Sequence, residues 1–232
     1  MFMKELFAEK NITLSPEKEE KFEEYKKILL FYNEKFNLTA ITDEKDIENK
    51  HFLDSAMGVD KFITSASVAE IGSGAGFPSV PLKILRDDLS FTLIESTGKK
   101  CEFLRTVVKE LGLKGVTVIN GRAEDLGKDG FYREKFDYAV ARAVARLNIL
   151  CEYCMPFVKV GGEFIAYKGS AEEEIKEAVN AVKILGGKYV YEDVYELPEN
   201  AGKRTLVGIK KISQTPPVYP RGNGKERKKP II

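Results

Sequence analysis

The stretch Glu70-Ile71-Gly72-Ser73-Gly74-Ala75-Gly76-Phe77-Pro78 constrains this chain more than any other. It follows the short apolar run Ser67-Val68-Ala69 and turns on three glycines. Glycine accepts positive φ and lets a backbone approach a ligand closely, and a helix opening just beyond presents free N–H groups. A second acid, Glu95, closes the next strand-like run, Phe91-Thr92-Leu93-Ile94-Glu95. An acid at the end of the second strand, some twenty residues on, suits two ribose hydroxyls. The pattern predicts a nucleoside-cofactor site on a doubly wound α/β sheet. The alternative is a tight β-to-α turn that binds nothing, and Glu95 argues against it.

The glycine spacing narrows the cofactor. A dinucleotide fingerprint reads Gly-x-Gly-x-x-Gly; counted from Gly72, its third glycine falls at 77, where Phe77 stands. The acid-x-Gly-x-Gly-x-Gly order found here resembles the S-adenosylmethionine (SAM) loop of Rossmann-like methyltransferases. Phe77 and Pro78 would also crowd a diphosphate, which disfavours a nicotinamide oxidoreductase.

A chain of 232 residues can bury one sizeable core with a modest extension. No apolar run approaches the ~20 residues of a membrane span, and no signal peptide is evident at the start. Three cysteines, an odd number, speak against a disulfide framework and for a reducing cytoplasm. Near-neutrality overall hides an uneven distribution. Residues 1–60 hold nine Lys/Arg against fourteen Asp/Glu, whereas residues 200–232 hold nine Lys/Arg and a single acid, Glu226. That asymmetry reads as a basic tail, residues 213–232, reaching for phosphate, or as a solvated end.

Ser15-Pro16-Glu17 is a helix opening: capping hydroxyl, proline at the first turn, then an acid. Apolar residues at Phe22, Tyr25, Ile28, Leu29, Tyr32 and Phe36 carry it to about Asn37. A second helix is expected from Glu44 through His51 to Met57. From Ser67 onward strands and helices alternate, as in a parallel α/β sheet. Strands are predicted at 67–71, 91–95, 116–120, 136–141, 163–168, 188–196 and 204–211, and helices at 79–86, 98–111, 145–157 and 171–185. The last two strands have too short a connection for a parallel crossover and should pair antiparallel. The expected fold is a Rossmann-like, seven-stranded methyltransferase core (63–212) with an antiparallel last strand, preceded by a helical extension (1–62) and followed by the tail.

Other residues invite chemistry. Ala123 and Glu124 follow the third strand, where SAM folds cover the adenine. Arg142 closes the fourth strand at the ligand-binding edge of the sheet, and a guanidinium there can hold phosphate or lie against a base. Arg146 lies one turn on. Lys168 closes the fifth strand and is a phosphate candidate. Cys151 and Cys154 share one helix face and read as core thiols, since a zinc site would need two more ligands and only Cys101 and His51 are on offer. No metal is expected. His51 and Asp54, at i and i+3, form either a proton relay or, as favoured here, a structural hydrogen-bonded pair.

These marks together resemble one family: the bacterial 16S ribosomal RNA guanine-N7 methyltransferases, also called the glucose-inhibited division protein B family. The resemblance rests on Asn37-Leu38-Thr39, His51-Phe52-Leu53-Asp54-Ser55, the glycine loop through Phe77-Pro78, Arg122-Ala123-Glu124, Arg142-Ala143-Val144-Ala145, and Tyr219-Pro220-Arg221 leading to Lys228-Lys229-Pro230. It spans nearly the whole chain. Ser79 stands where the family usually has glycine, and Ala141 where it usually has serine.

The resemblance implies methyl transfer from SAM to N7 of a guanine in the decoding-region loop of 16S rRNA. Another RNA, or a small molecule, is the alternative substrate. It implies cofactor contacts at Gly72, Gly74, Phe77, Glu95, Ala123, Glu124 and Arg142, with Arg142 also catalytic. Lys168, Arg221, Lys228 and Lys229 are the expected RNA-phosphate contacts. The expected partner is rRNA or the small ribosomal subunit, met by a cytoplasmic monomer.

Overall fold

A computed structural model of the chain describes residues 2–232. Seven strands form one sheet in the order β3-β2-β1-β4-β5-β7-β6. They are β1 (Ser67–Ile71), β2 (Ser90–Glu95), β3 (Val116–Asn120), β4 (Phe136–Arg142), β5 (Val158–Lys168), β6 (Gly187–Leu197) and β7 (Gly202–Lys211). The first five neighbours pair parallel, while β7 runs antiparallel between β5 and β6. The short link between β6 and β7 leaves them no other pairing.

Between the strands lie α5 (Ser79–Leu85), α6 (Gly98–Glu110), α7 (Ala123–Leu126), α8 (Leu147–Cys154) and α9 (Glu172–Ile184). Each strand buries alternate residues on opposite faces. Val68, Phe91, Leu93, Val140 and Ile165 point to one apolar layer; Ala69, Ile94, Ala139, Ala141 and Phe164 point to the other. The second layer is closed by α8 and α9, through Leu150, Cys151, Cys154, Ala178 and Val182. Cys151 and Cys154 are therefore core thiols, and burial pushes both away from ionisation. The helix expected over 145–157 begins two residues later and ends at Cys154. Pro156 then stands in a tighter 3-10 turn, Met155–Phe157, which proline tolerates better than a helix interior.

The first layer is covered by the amino-terminal segment. Here α1 (Phe2–Ala8) precedes α2 (Pro16–Phe36), α3 (Glu44–Ile47) and α4 (Asp54–Ala56). Ser15 caps α2, its hydroxyl accepting the Lys18 N–H, and Asn37 closes it in the left-handed conformation at φ 50°. Phe22, Tyr25 and Leu29 are fully buried on the inner face, each contributing about 1.5–3 kcal/mol of burial. Helix α1 was not expected from the sequence, although its buried Met3, Leu6 and Phe7 have helical spacing. The second expected helix is present, but Glu48–Leu53 between α3 and α4 is a wider π-helical turn. Such turns commonly mark functional positions.

The carboxyl end corrects the reading of a solvated tail. Residues 213–232 run as a strap over the second layer, ending in a short turn of helix, α10 (Lys225–Lys228). Thr215, Glu226 and Ile231 are buried. Arg133 donates to the carbonyls of Thr215, Pro216 and Tyr219, and Asn148 donates to that of Ile231.

Candidate active site at the carboxyl edge of the sheet

Strand order reverses between β1 and β4, so the crevice beyond their carboxyl ends is the expected ligand position in such a sheet. Both diagnostic segments open into it: the glycine loop after β1, and Arg142 at the end of β4. Three neighbouring cavities line the crevice.

The central cavity, about 440 Å3, is bordered by Gly72, Gly74, Phe77, Glu95, Lys100, His51 and Arg142. Gly72 sits at φ +72°, and a Cβ there would lie 2.7 Å from a Val144 methyl, so only glycine fits the turn. Gly74 is also in the left-handed region at φ +55°. Its N–H donates to Glu95 Oε2 at 3.0 Å, while Oε1 accepts from the Thr97 N–H at 2.8 Å. The Glu95 carboxylate, 6 % exposed, is thus held at the cavity wall by backbone donors. From beneath, the Tyr25 hydroxyl donates to the Ala75 carbonyl and fixes the loop to α2. Glu70 is fully buried behind the loop, and burial pushes its carboxyl up to about 8.

A second cavity, about 200 Å3, adjoins the first and shares Gly72, Ser96 and Val144 with it. Ala123 and Glu124 line it, together with Ile71 and Ile94. The larger chamber beside Glu95 continues into a smaller slot whose lining is part apolar, with Ile71, Ile94 and Ala123, and part polar, with Ser96, Arg122 and Glu124. That fits a nucleoside joined to an amino-acid moiety, with the ribose at Glu95, the base at Ala123 and the amino acid along the glycine loop.

The third cavity, about 450 Å3, lies on the far side of Arg142 and is bordered by His51, Asp54, Tyr167, Lys168, Glu174 and Arg204. Arg142 is the partition. Its Nη1 donates to Asp54 Oδ2 at 2.8 Å and to the Lys50 carbonyl at 3.1 Å, and its Nη2 donates to His51 Nδ1 at 2.9 Å. The guanidinium carbon stands 4.8 Å from the Phe77 ring centre, and His51 stacks on the same ring at 4.4 Å. Arginine only donates, so His51 Nδ1 accepts and Nε2 carries the proton, donated to Thr39 Oγ1 at 2.8 Å. Burial, and then the Arg142 charge, bring the His51 pKa down to about 3. His51 is therefore neutral with both nitrogens engaged, and its ring offers no free base to the crevice. His51 and Asp54 do not bond to one another as the i, i+3 spacing suggested. Both grip Arg142 instead, a relation between residues 88 or more positions apart that spacing cannot show.

Two expected RNA contacts have other partners. Lys168 Nζ pairs with Glu174 at 2.8 Å and donates to the Ala145 carbonyl, with its side chain 10 % exposed. Arg221 meets the buried Glu152 carboxylate through Nε, Nη2 and its backbone N–H. Both cations are neutralised by protein carboxylates rather than offered to phosphate. Lys228 and Lys229 are exposed on the strap. Arg146 pairs at the surface with Glu177. Among the described residues no cluster of His, Cys, Asp or Glu is arranged to hold a metal ion. Tyr195, which donates to Asp54 Oδ1 at 2.8 Å, was not foreseen. It comes from a β6 strand whose sequence signal is only its alternation.

The solved structure of a SAM-dependent methyltransferase from Aquifex aeolicus shares the fold, with a TM-score of 0.55 at 17% identity, covering 76% of this chain and 97% of that one. The chain is 47% identical over 236 residues to the ribosomal RNA small subunit methyltransferase G of Lactobacillus delbrueckii subsp. bulgaricus, spanning 98% of this chain and 99% of that protein. It is 48% identical to the protein of the same name in Brevibacillus brevis, over 98% and 97% of the two chains. The family model described as GidB, rRNA small subunit methyltransferase G, matches residues 18–199. That match takes in the glycine loop, the grip on Arg142 and the strand β6 that supplies Tyr195, and the chain belongs to this family.

Proposed function

We infer that this protein transfers the methyl group of SAM to N7 of a guanine in the decoding-region loop of 16S rRNA. The observation that carries the reading is Arg142, held by Asp54 and His51 between a nucleoside-shaped chamber and a second cavity. When bound, SAM supplies an electrophilic methyl carbon with a neutral thioether as leaving group. Guanine N7 carries a free lone pair at neutral pH, so the N–C bond forms as the C–S bond breaks and no proton has to move. The absence of an available base at His51 agrees with that chemistry. Rate then depends on alignment, which a guanidinium fixed on three sides is built to provide.

Gly72, Gly74 and Phe77 would contact the amino-acid end of the cofactor, Glu95 its ribose, and Ala123 and Glu124 its base. Arg142 faces both the cofactor and the incoming base. The product guanine gains positive charge, and the carboxylates of Asp54 and Glu174 border the cavity that would receive it. The exposed Lys225, Lys228 and Lys229 are strap lysines left for RNA phosphate. No described helix is long and apolar enough to cross a membrane, and we take the protein to act as a cytoplasmic monomer, which sedimentation tests directly.

The decisive experiment incubates the protein with methyl-labelled SAM and unmodified small subunits or their RNA, then identifies the labelled nucleoside by mass spectrometry. N7-methylguanosine in the decoding-region loop is expected. Label in another nucleoside, or only in small molecules, overturns the assignment.

A further inference from the structure

The strap passes over the slot at the base end of the cofactor site, and Gly224, Glu226 and Arg227 form part of its wall. Glu226 is the single acid among the last 33 residues and is 1 % exposed. Its Oε1 accepts from the Tyr153 hydroxyl at 2.9 Å, and Tyr153 in turn accepts from Arg227 Nε at 3.3 Å. Its Oε2 is buried without any partner. A buried carboxylate oxygen left unpaired is costly, and native structures keep such atoms where a ligand or solvent completes them.

Ile71, Ile94, Ala123 and Val144 give the slot an apolar surface against which a flat ring can lie, beside the polar Ser96, Arg122 and Glu124. A planar heterocycle entering here meets aliphatic surface and, at Glu226, an acceptor that lacks a donor. Adenine matches that demand through its exocyclic 6-amino group, whereas a 6-oxo purine would set a carbonyl oxygen against a carboxylate. We propose that Glu226 is the purine-reading residue of the cofactor site, accepting a hydrogen bond from the adenine 6-amino group through Oε2, and that the carboxyl-terminal strap thereby forms part of the SAM site. The proposal rests on the SAM reading above and assigns a role that the basic composition of the segment conceals. The strap is already anchored by Arg221 on Glu152 before the slot and by the Ile231 carbonyl on Asn148 after it.

The test is equilibrium binding by calorimetry, with S-adenosylhomocysteine and its 6-oxo counterpart, S-inosylhomocysteine. The wild-type protein is expected to prefer the adenosyl compound at least about tenfold, the scale of one hydrogen bond to a charged acceptor. In Glu226→Gln the carboxamide keeps the Tyr153 contact and can donate to a 6-oxo group, so the preference should fall to near unity or reverse. A role limited to holding the strap would lower both affinities together and leave their ratio unchanged. Equal binding of the two compounds by the wild-type protein overturns the proposal while leaving the SAM assignment intact, and needs no variant to fold. An unchanged preference in Glu226→Gln, with its melting temperature preserved, overturns it equally. Binding of neither compound overturns the SAM reading itself.

Discussion

The two ends of the chain make an instructive pair. The first sixty residues are acidic and the last thirty-three basic; the acidic end is expected to pack beside the sheet as helices, the basic end to reach for phosphate or stay in solvent. Both ends pack against the same crevice, one through each face of the sheet. From the acidic end come His51 and Asp54, which grip a cation; from the basic end comes Glu226, a buried anion. Net charge belongs to the residues left in solvent, where each pair is worth little. Chemistry belongs to the few charges that folding takes out of water, because there an unmatched charge or hydrogen bond is expensive.

If buried charges at the amino-terminal end govern the site, breaking the Arg142 grip should have the largest effect. Asp54→Ala leaves the Arg142 guanidinium and the Tyr195 hydroxyl without an acceptor, and should cost about 3–5 kcal/mol of stability by denaturant unfolding. A loss under about 1 kcal/mol would mean the grip is dispensable. Next comes Arg142→Ala. With the partition gone but the cavities intact, single-turnover methyl transfer at saturating RNA should fall on the order of a hundredfold, while RNA affinity changes far less. The reverse pattern would place Arg142 among the RNA anchors rather than beside the reaction.

The pH dependence sharpens the same end. His51 is held neutral in the folded protein, its pKa lowered from 6.5 to about 3, whereas the unfolded chain takes up a proton near 6.5. Its contribution is therefore complete above pH 6.5 and is lost as pH falls toward 3, amounting to about 2 kcal/mol by pH 5. Glu70, raised to about 8 from 4.5, acts in the opposite sense, its contribution being lost as pH rises toward 8. The readout is accordingly the difference between wild type and His51→Gln. The variant should lose less stability between pH 7 and pH 5, and parallel curves would show that His51 titrates normally.

Smaller effects separate the cofactor wall from the surface charges. Glu95→Ala should weaken SAM binding by about 1–3 kcal/mol in calorimetry, and an unchanged dissociation constant would remove Glu95 from the ribose. Replacing the exposed Lys225, Lys228 and Lys229 with alanine should leave SAM affinity untouched. It should lower the slope of log RNA affinity against log salt by up to about 0.7 for each phosphate that these lysines neutralise. If the triple variant weakens SAM binding as Glu226 variants are expected to, the distinction between buried and exposed charges in the strap fails.

The residues proposed for the cofactor half of the crevice stand out in the sequence because local backbone demands write themselves into neighbouring residues. Gly72 and Gly74 need positive φ, Glu95 must close the second strand, and Ala123 and Glu124 must follow the third, so each position is visible in its own segment. The strands and helices were readable for the same reason, their apolar periods being local. The half that faces the substrate was only partly visible. Lys168 and Arg221 looked like phosphate ligands because a basic residue at a sheet edge or in a basic tail carries no mark of the carboxylate it will meet. Glu174 and Glu152, their partners, are supplied by helices on one side of the sheet.

By itself, then, the sequence determined the alternation of strands and helices, the antiparallel final hairpin, the glycine turn and the acid that answers it, since these follow from bonds and periods only a few residues long. The tertiary structure alone decided which charges are buried and with whom: Arg142 with Asp54 and His51 across 88 and 91 positions, Arg221 with Glu152 across 69, and Glu226 with an unpaired oxygen beside the smaller slot of the crevice. The physical reason is that hydrogen bonding and desolvation act on distances in space, and only the closed sheet brings those residues together.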